Sequence, residues 1–324
     1  MNSIFNEAKI LITGGTGSWG NELTKQLLTF NPGQIIIYSR NEFNQVTMKR
    51  RFNNKKLKFH IGNVRDYDSL NRACKGVDYI FHLAALKHVP VCEQQPNEAI
   101  KTNINGTNNV IRAAINNQVK RVIDVSTDKA CSPLNVYGMT KAVGEKLITN
   151  ASQLTDTTDF MCIRAGNVMG TAGSVIPLFI DQIKKNNKIT ITDKRMTRYF
   201  ISLEEAISLL FTAINSNFDG SLFVMKMPAC KLTDLAKVLI DYYGDKNTEI
   251  IETGIRPGEK IHEVLVSKDE VLQTYEYNDT YYLIYPQNKI ELFQKVTFPE
   301  YSSSTYLMNK KEIQKLLNKG GFLK

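Results

Sequence analysis

No run of about 18 apolar residues occurs anywhere in this chain, so no stretch of it reads as a membrane-spanning helix. The opening M-N-S-I-F-N-E-A-K-I lacks the basic, then apolar, then small-residue order of a secretory leader and runs straight into a strand; the expected location is the cytoplasm. Cysteine is sparse and odd in number: Cys74, Cys92, Cys131, Cys162 and Cys230 are scattered, and none forms C-x-x-C. That excludes a disulfide framework, argues against a thiolate metal site, and leaves five thiols that read as reduced. Internal repeats and low-complexity tracts are missing too. The net charge of +9 comes without a dense basic run interleaved with aromatics, so nucleic acid is not the expected partner. The same positive field suits a dinucleotide or a nucleoside diphosphate. With 42% apolar and 23% charged residues over 324 positions, the composition is that of a globular enzyme long enough for two lobes.

What is present is organised around V-S-T-D-K-A-C-S-P-L-N-V-Y-G-M-T-K at 125–141. Tyr137 and Lys141 are four apart and share one helix face. An ammonium so close favours the phenolate, which moves a tyrosine from its ordinary pKa of ~10 toward working pH. A base that takes a hydroxyl proton while hydride leaves the same carbon needs that shift. Y-x-x-x-K also arises by chance on ordinary surfaces, and its meaning here comes from what precedes it. K-I-L-I-T at 9–13 reads as a strand, Gly14, Gly17 and Gly20 as a turn, and E-L-T-K-Q-L-L as a helix. That order points backbone N–H groups and a helix N-terminus at a pyrophosphate. The next strand, Gln34 to Tyr38, ends in Ser39-Arg40-Asn41-Glu42. An acid at this tip would mark NAD, whereas the fork of Arg40 suits a 2′-phosphate and favours NADP, with Glu42 as a complication. Lys49, Arg50 and Arg51 on the following helix either add to a phosphate pocket or face water.

A third strand, Leu57 to Ile61, leads to Gly62-Asn63-Val64. A fourth, Val77 to Leu83, ends in Ala84-Ala85, small enough for close approach of a cofactor, followed by Lys87 and His88. His88 reads as a structural hydrogen-bonder more than a catalyst. Helix Lys101–Gln118, strand Arg121–Ser126, a helix running through Lys141 to about Gln153 and strand Phe160–Ala165 continue the alternation. The pattern specifies an α/β fold, a Rossmann-type doubly wound parallel sheet with a smaller C-terminal substrate lobe. The expected division is 1–168 as the dinucleotide-binding domain, with 199–228 returning to it, and 169–198 plus 229–324 as the second lobe. In that lobe, Ser174–Lys185 reads as a helix, Ile189–Arg198 as a basic loop, and Ile250–Glu263 as a turn-rich basic segment; the amphipathic helix Leu203–Ile214 lies in the returning segment. Arg195, Arg198 and Arg256 are candidates for clamping a diphosphate, each equally readable as an exposed arginine. The tail, with Y-S-S-S at 301–304 and a helix from Asn309 to Leu317, offers nothing for chemistry.

The glycine turn, the Ser-Thr-Asp triplet and Tyr137-x-x-x-Lys141 resemble the extended short-chain dehydrogenase/reductases. H-L-A-A-L-K-H-V-P at 82–90, S-T-D-K-A at 126–130, I-T-I-T-D-K-R-M-T-R at 189–198 and G-I-R-P-G-E-K-I-H-E at 254–263 are similar, more narrowly, to the soluble UDP-N-acetylglucosamine 4,6-dehydratases that invert C5. The resemblance spans about residues 9 to 304. It implies tightly held NADP, UDP-N-acetylglucosamine as substrate, a homo-oligomer between dimer and hexamer, and a product used for surface glycans. It puts cofactor contacts on Gly14, Thr16, Gly17, Ser18, Trp19, Gly20, Ser39, Arg40, Asn63, Val64, Ala84, Ala85, Lys87, Tyr137 and Lys141, and substrate contacts on Lys87, Asn167, Arg198, Arg256 and Glu259. The catalytic set is Thr127, Asp128, Lys129, Tyr137 and Lys141.

In the implied reaction Tyr137 takes the C4 hydroxyl proton, Lys129 removes the C5 proton, Asp128 protonates the departing C6 hydroxyl, and Thr127 hydrogen-bonds the C4 hydroxyl. Lys129 can act as a base only if neutral. Burial and nearby Lys141 would lower its proton affinity and Asp128 would raise it; the sequence does not say which wins, and a loop-ordering role stays open. Asn63 replaces the usual Asp of an adenine contact, and Cys131-Ser132 depart from the usual residues after S-T-D-K-A. Tyr137 stands where a sister group has Met, which favours the inverting branch. The alternatives are a C5-retaining 4,6-dehydratase, a sugar-nucleotide 4-epimerase or reductase, and a non-catalytic NADP-binding regulator. The sequence leaves the nucleotide open between UDP, GDP and dTDP.

Overall fold

The structure, a computed structural model, describes residues 3–170, 174–285 and 291–323. Nine strands form the main sheet: β1 (Lys9–Thr13), β2 (Gln34–Ser39), β3 (Leu57–Ile61), β4 (Tyr79–His82), β5 (Arg121–Thr127), β6 (Asp159–Ala165), β7 (Leu222–Met225), β8 (Thr274–Glu276) and β9 (Tyr281–Ile284). Their order is β8-β9-β7-β6-β5-β4-β1-β2-β3. Strands β1 to β7 pair in parallel, while β9 runs antiparallel to both β7 and β8. The parallel strands are near-continuous apolar runs because both faces are covered by helices: Ile10, Leu11 and Ile12 in β1 and Ile35 and Ile37 in β2 are fully buried. The chain order reverses between β1 and β4, which opens a crevice at their carboxyl ends, the usual ligand site of such sheets.

The helices that matter for the site are α1 (Ser18–Leu28), α2 (Glu42–Phe52), α3 (Gly106–Asn116), α4 (Val136–Ala151), α5 (Val175–Asn186), α6 (Leu203–Ile214), α7 (Leu232–Tyr243) and α8 (Lys310–Lys319). Helix α4 starts where the Asn135 side chain accepts the N–H of Gly138. The Ser202/Glu205 and Asn309/Glu312 capping boxes start α6 and α8. The expected helix from Lys101 is not uniform. It opens as a π-helix, Ile100–Asn105, before α3, and this aims the Asn103 side chain back at the loop after β4.

A second, smaller core gathers Phe179 and Ile183 of α5, Ile189, Phe200, Leu235 and Leu239 of α7, and Ile313 of α8. Two sequence expectations change here. Lys188–Ile191 and Thr197–Ile201 are strands, not a basic loop. Not all of 229–324 belongs to this lobe, because β8 and β9 extend the main sheet and Leu265, Val266 and Leu283 join the larger core. Lys49, Arg50, Arg51, Lys55, Lys56 and Lys58 cluster on α2, the loop after it and the edge strand β3, where charge discourages edge-to-edge pairing. Helix α6 does pack on α1, β5 and β6 of the main sheet. All five cysteines are free and buried. No helix among the described residues is long and apolar enough to cross a membrane.

Arg164 ties the main sheet to the segment that leads into β8. Its guanidinium, buried in β6, meets Glu145 of α4 at 2.7 and 3.0 Å, Glu270 at 2.8 and 2.9 Å, and the Leu265 carbonyl at 2.7 Å. Burial alone would raise the Glu270 carboxyl; Arg164, with hydrogen bonds from Ser267, overrides it and holds the group down at about 2. A depressed carboxyl stabilises the fold fully above its unfolded value and loses that contribution as the pH falls. Thermal melting as a function of pH should therefore show a loss on the order of 2–3 kcal/mol between pH about 4.5 and 2 that Glu270→Gln flattens. Parallel curves for the two proteins would contradict the assignment.

Candidate active site

Strand β1 ends at Thr13, and Gly14 then turns with φ +66°, a left-handed conformation that suits glycine. A Cβ on Gly14 would lie 2.9 Å from the Ala84 backbone, and one on Gly20 would lie 2.2 Å from the Gly15 carbonyl oxygen, so the loop, α1 and β4 pack too closely for side chains. The Asn21 amide donates to the Thr16 and Gly17 carbonyls at 2.9 and 2.8 Å and holds the turn. Gly17 caps α1 without a side-chain bond, which leaves the first-turn N–H groups available to an anion. These residues fit a dinucleotide pyrophosphate.

The loop forms one end of a cavity of about 820 Å³ that runs to the second lobe. Gly14, Thr16, Gly17, Ser18, Trp19, Gly20, Ser39, Arg40, Asn63, Val64, Ala84, Ala85, Lys87, Thr127, Lys129, Tyr137, Lys141, Asn167, Arg198, Arg256 and Glu259 all line it. Gln45 donates to the Ser39 hydroxyl and carbonyl at 3.0 and 2.9 Å and fixes the strand tip beside exposed Arg40. Glu42, Lys49, Arg50 and Arg51 are exposed and do not line the cavity; Arg51 instead bonds the Asn21 side chain and stacks on Phe52. His88 is exposed on the cavity wall at the N-cap of a short helix. The structural histidine is His82, buried between Thr13 at 2.7 Å and Thr107 at 3.2 Å.

One electrostatic expectation is corrected, and one question the sequence left open is answered. Burial raises the Tyr137 phenol above its ordinary value and outweighs Lys141, a Thr127 hydrogen bond and Lys129, all of which favour the phenolate. For Lys129, burial would lower the ammonium, but Asp128 and Glu263 overcome it and hold it above its ordinary value. The positive neighbour that works against them is Arg198, not Lys141. The Lys129 ammonium sits 3.0 Å from Asp128 and 3.7 Å from Glu263. Asp128 is the one member of the expected catalytic set that does not line the cavity. It lies a layer behind the wall, where its Oδ1 accepts from Lys129 and, at 2.9 Å, from the Thr127 hydroxyl. Among the described residues, six buried side-chain atoms lack hydrogen-bond partners: Asp128 Oδ2, Glu263 Oε2, and the hydroxyls of Ser126, Thr158, Ser174 and Tyr199. Unsatisfied buried polar atoms are rare in native folds. Two of these six are the second oxygens of the carboxylates that flank Lys129.

The expected clamp is only partly available. Arg198 lines the cavity, but its guanidinium donates to the carbonyls of Thr197, Lys260 and Ile261 at 2.7, 2.9 and 3.0 Å, with Nε 3.5 Å from Glu263. It pins the 260–263 segment and has little left for a phosphate. Arg195 is paired in a fork with Asp193 and lies off the cavity lining. Arg256 is exposed on the wall, and Glu259 accepts the Arg256 N–H at 3.1 Å, shaping the turn.

Sequence reasoning missed four residues. Asp124 in β5 binds the Lys141 ammonium at 3.0 Å. Glu263 sits behind Lys129 with its N–H on Ser303 at 2.9 Å, so the tail at 301–304 is not idle. Asn103 clamps the loop after β4 through both the N–H and the carbonyl of Leu86, and His82 completes the group. A lone acid inside the apolar run R-V-I-D-V was the available signal for Asp124; Glu263 lay unassigned in a motif already singled out.

Residues 10–285 match the family described as "Polysaccharide biosynthesis protein". The chain is 45% identical over 291 residues to the UDP-N-acetylglucosamine 4,6-dehydratase (inverting) of Campylobacter jejuni, covering 89% of this chain and 85% of that protein. It is 42% identical over 333 residues to the UDP-glucose 4-epimerase of Rickettsia rickettsii, covering 97% and 96% of the two chains. The X-ray structure of Pen from Bacillus thuringiensis superposes with a TM-score of 0.93 at 40% identity, covering 99% of this chain and 100% of that one. DesIV from Streptomyces venezuelae, a dTDP-glucose 4,6-dehydratase solved with NAD bound, shares the fold at TM-score 0.71 and 23% identity, over 78% of this chain and 86% of that one.

The two arginines on the wall should separate by experiment. Arg256→Ala should weaken binding of a nucleoside diphosphate, measured by calorimetric titration, about 10- to 100-fold with the melting temperature unchanged. Arg198→Ala should instead lower the melting temperature. The reverse pattern would mean that Arg198 is the clamp.

Proposed function

Because the chain belongs to the polysaccharide biosynthesis protein family, we propose that it carries out the reaction named for its Campylobacter relatives, the 4,6-dehydration of UDP-N-acetylglucosamine with inversion at C5. The reading includes a cytoplasmic, homo-oligomeric lyase whose 4-keto-6-deoxy product serves surface glycan synthesis. When bound, a nicotinamide dinucleotide would supply the hydride acceptor for C4 and the hydride donor for C6. The residues that would hold it are the Gly14–Gly20 turn at the pyrophosphate and Ser39 and Arg40 at the ribose. NADP is favoured over NAD because the exposed Arg40 guanidinium, unpaired among the described residues, is the group at that strand tip able to fork onto a 2′-phosphate.

The chain's own groups handle the protons. Tyr137 takes the proton of the C4 hydroxyl, with Lys141 stabilising the phenolate; Thr127 orients that hydroxyl, and Asn167 and Lys87 hold the sugar. Lys129 becomes a base by passing one ammonium proton to Asp128, 3.0 Å away. That N–H bond breaks as an O–H bond forms, so a single transfer makes both the neutral amine and the carboxylic acid. Lys129 then takes the C5 proton, whose acidity comes from the adjacent C4 ketone. Asp128 gives its proton to the C6 hydroxyl through Thr127, which it contacts at 2.9 Å, and the C6–O bond breaks to release water. The ion pair is thereby restored. A proton delivered to C5 from the face opposite Lys129 inverts that centre. The enzyme takes two protons, from O4 and C5, and gives two, to O6 and C5, so the cycle closes.

The observation that carries this reading is Lys129 at the cavity wall, backed by two buried carboxylates. A 4-epimerase needs the Tyr137–Lys141 pair and has no use for such a group. The full-length similarity to the Rickettsia epimerase makes that the second reading. Incubation with UDP-N-acetylglucosamine followed by mass spectrometry separates them, with a loss of about 18 Da expected and no change in mass for epimerisation. Lys129→Ala should keep cofactor binding and lose elimination by about 10²- to 10⁴-fold. Turnover of that variant at the native rate would remove Lys129 from the mechanism, and no turnover at all in the native protein would leave a non-catalytic regulator.

A further inference from the structure

Beneath Lys141 lies a charge that the reaction as described does not use. Asp124 is fully buried in β5, between Ile123 and Val125, and its carboxylate contacts the Lys141 ammonium at 3.0 and 3.4 Å. Lys141 is itself 3% exposed and lines the cavity, whereas Asp124 lies behind it. We propose that Asp124 is a positioning residue: it fixes the Lys141 ammonium where it faces the Tyr137 phenol and supplies its counter-charge. The inference rests on the Tyr137–Lys141 base of the proposed reaction and extends it by one buried group.

Stability does not account for the pair. A buried ion pair costs desolvation on both sides, and an apolar pair of similar volume is commonly as stable or more so. Yet either member alone would be severely penalised. What the pair provides is an ammonium that stays charged at a site where burial works against it. The other groups facing it do not replace Asp124. His82 of β4 lies 4.0 Å from Asp124 Oδ1, and burial holds its imidazole down at about 4, so it stays neutral in the working range. The Cys162 thiol of β6, 3.8 Å from Asp124 Oδ2, is pushed well up by burial and also stays neutral. Tyr137, on the same helix as Lys141, is the group to be activated. Farther along α4 and β6, Glu145 and Arg164 are committed to each other. Asp124 thus carries the counter-charge among the described residues. Its cost is equally direct: a compensated ammonium pulls less on the phenol, consistent with burial winning at Tyr137.

The test uses the full-length enzyme. In Asp124→Asn the uncompensated ammonium should shed its proton within the assay range. Turnover should fall tenfold or more from pH 7 to pH 9, where the native enzyme stays active, with KM within about twofold, and Asp124→Glu should restore part of the alkaline activity. A merely structural carboxylate would lower the melting temperature and leave the shape of the pH profile unchanged, and that result overturns the proposal. A second measurement is independent of turnover. Asp124→Leu and Lys141→Met should each lower the melting temperature, and the double variant should recover most of the loss. Failure of the double variant to recover overturns the pairing even if Asp124→Asn does not fold. The pH profile can be scored on dehydration or epimerisation, since both begin at the C4 hydroxyl, so loss of the dehydratase reading would not be mistaken for loss of this one.

Discussion

An ammonium held between two buried carboxylates is the constraint on which the rest of this structure depends. Lys129 can serve the chemistry only if its proton has somewhere close to go, and Asp128 at 3.0 Å provides that place. Glu263 at 3.7 Å and Arg198 on its far side bring the group to two positive and two negative charges, so a proton passing from Lys129 to Asp128 changes no net charge in a poorly solvated site. In the proposed reaction the raised proton affinity of Lys129 is the resting half of a cycle and does not argue against its acting as a base.

Completing that group takes the whole chain. Asp128 and Lys129 follow β5, Arg198 comes from the second lobe, and Glu263 is fixed by a serine 40 residues further on. Arg198 spends its guanidinium on the carbonyls of 197, 260 and 261, and so fixes the backbone that carries Glu263. The same logic recurs at Arg164, where one guanidinium gathers two carboxylates and a carbonyl from two segments. Both arginines place other groups, which explains why neither is free to hold a phosphate.

The legible part of the fold and site was local. The Gly14–Gly20 turn, the Tyr137–Lys141 spacing and the alternating strands and helices are decided by neighbours within a few residues, and the crevice follows from the sheet order they impose. The illegible part depends on residues far apart in sequence. Asp124 is an odd acid in an apolar strand until α4 lays Lys141 over it, and Glu263 is one letter of a motif until Ser303 and Arg198 turn it inward. Electrostatic direction was the hardest to foresee. Sequence shows that a lysine is near a tyrosine, but it does not show how much water is excluded, and burial decided against the phenolate at Tyr137. The short strands β8 and β9 were missed because strands of three and four residues carry too little alternation to stand out.

The central claim is that Lys129 takes the C5 proton of a sugar nucleotide and that a different group returns one to the opposite face. The direct measurement is a proton NMR time course of the native enzyme with UDP-N-acetylglucosamine in heavy water. The account predicts a 4-keto-6-deoxy product with solvent deuterium at C5, inverted configuration at that carbon, and the original C4 hydrogen carried to C6. A product that keeps its C6 oxygen and a protonated C5 of unchanged configuration would contradict it.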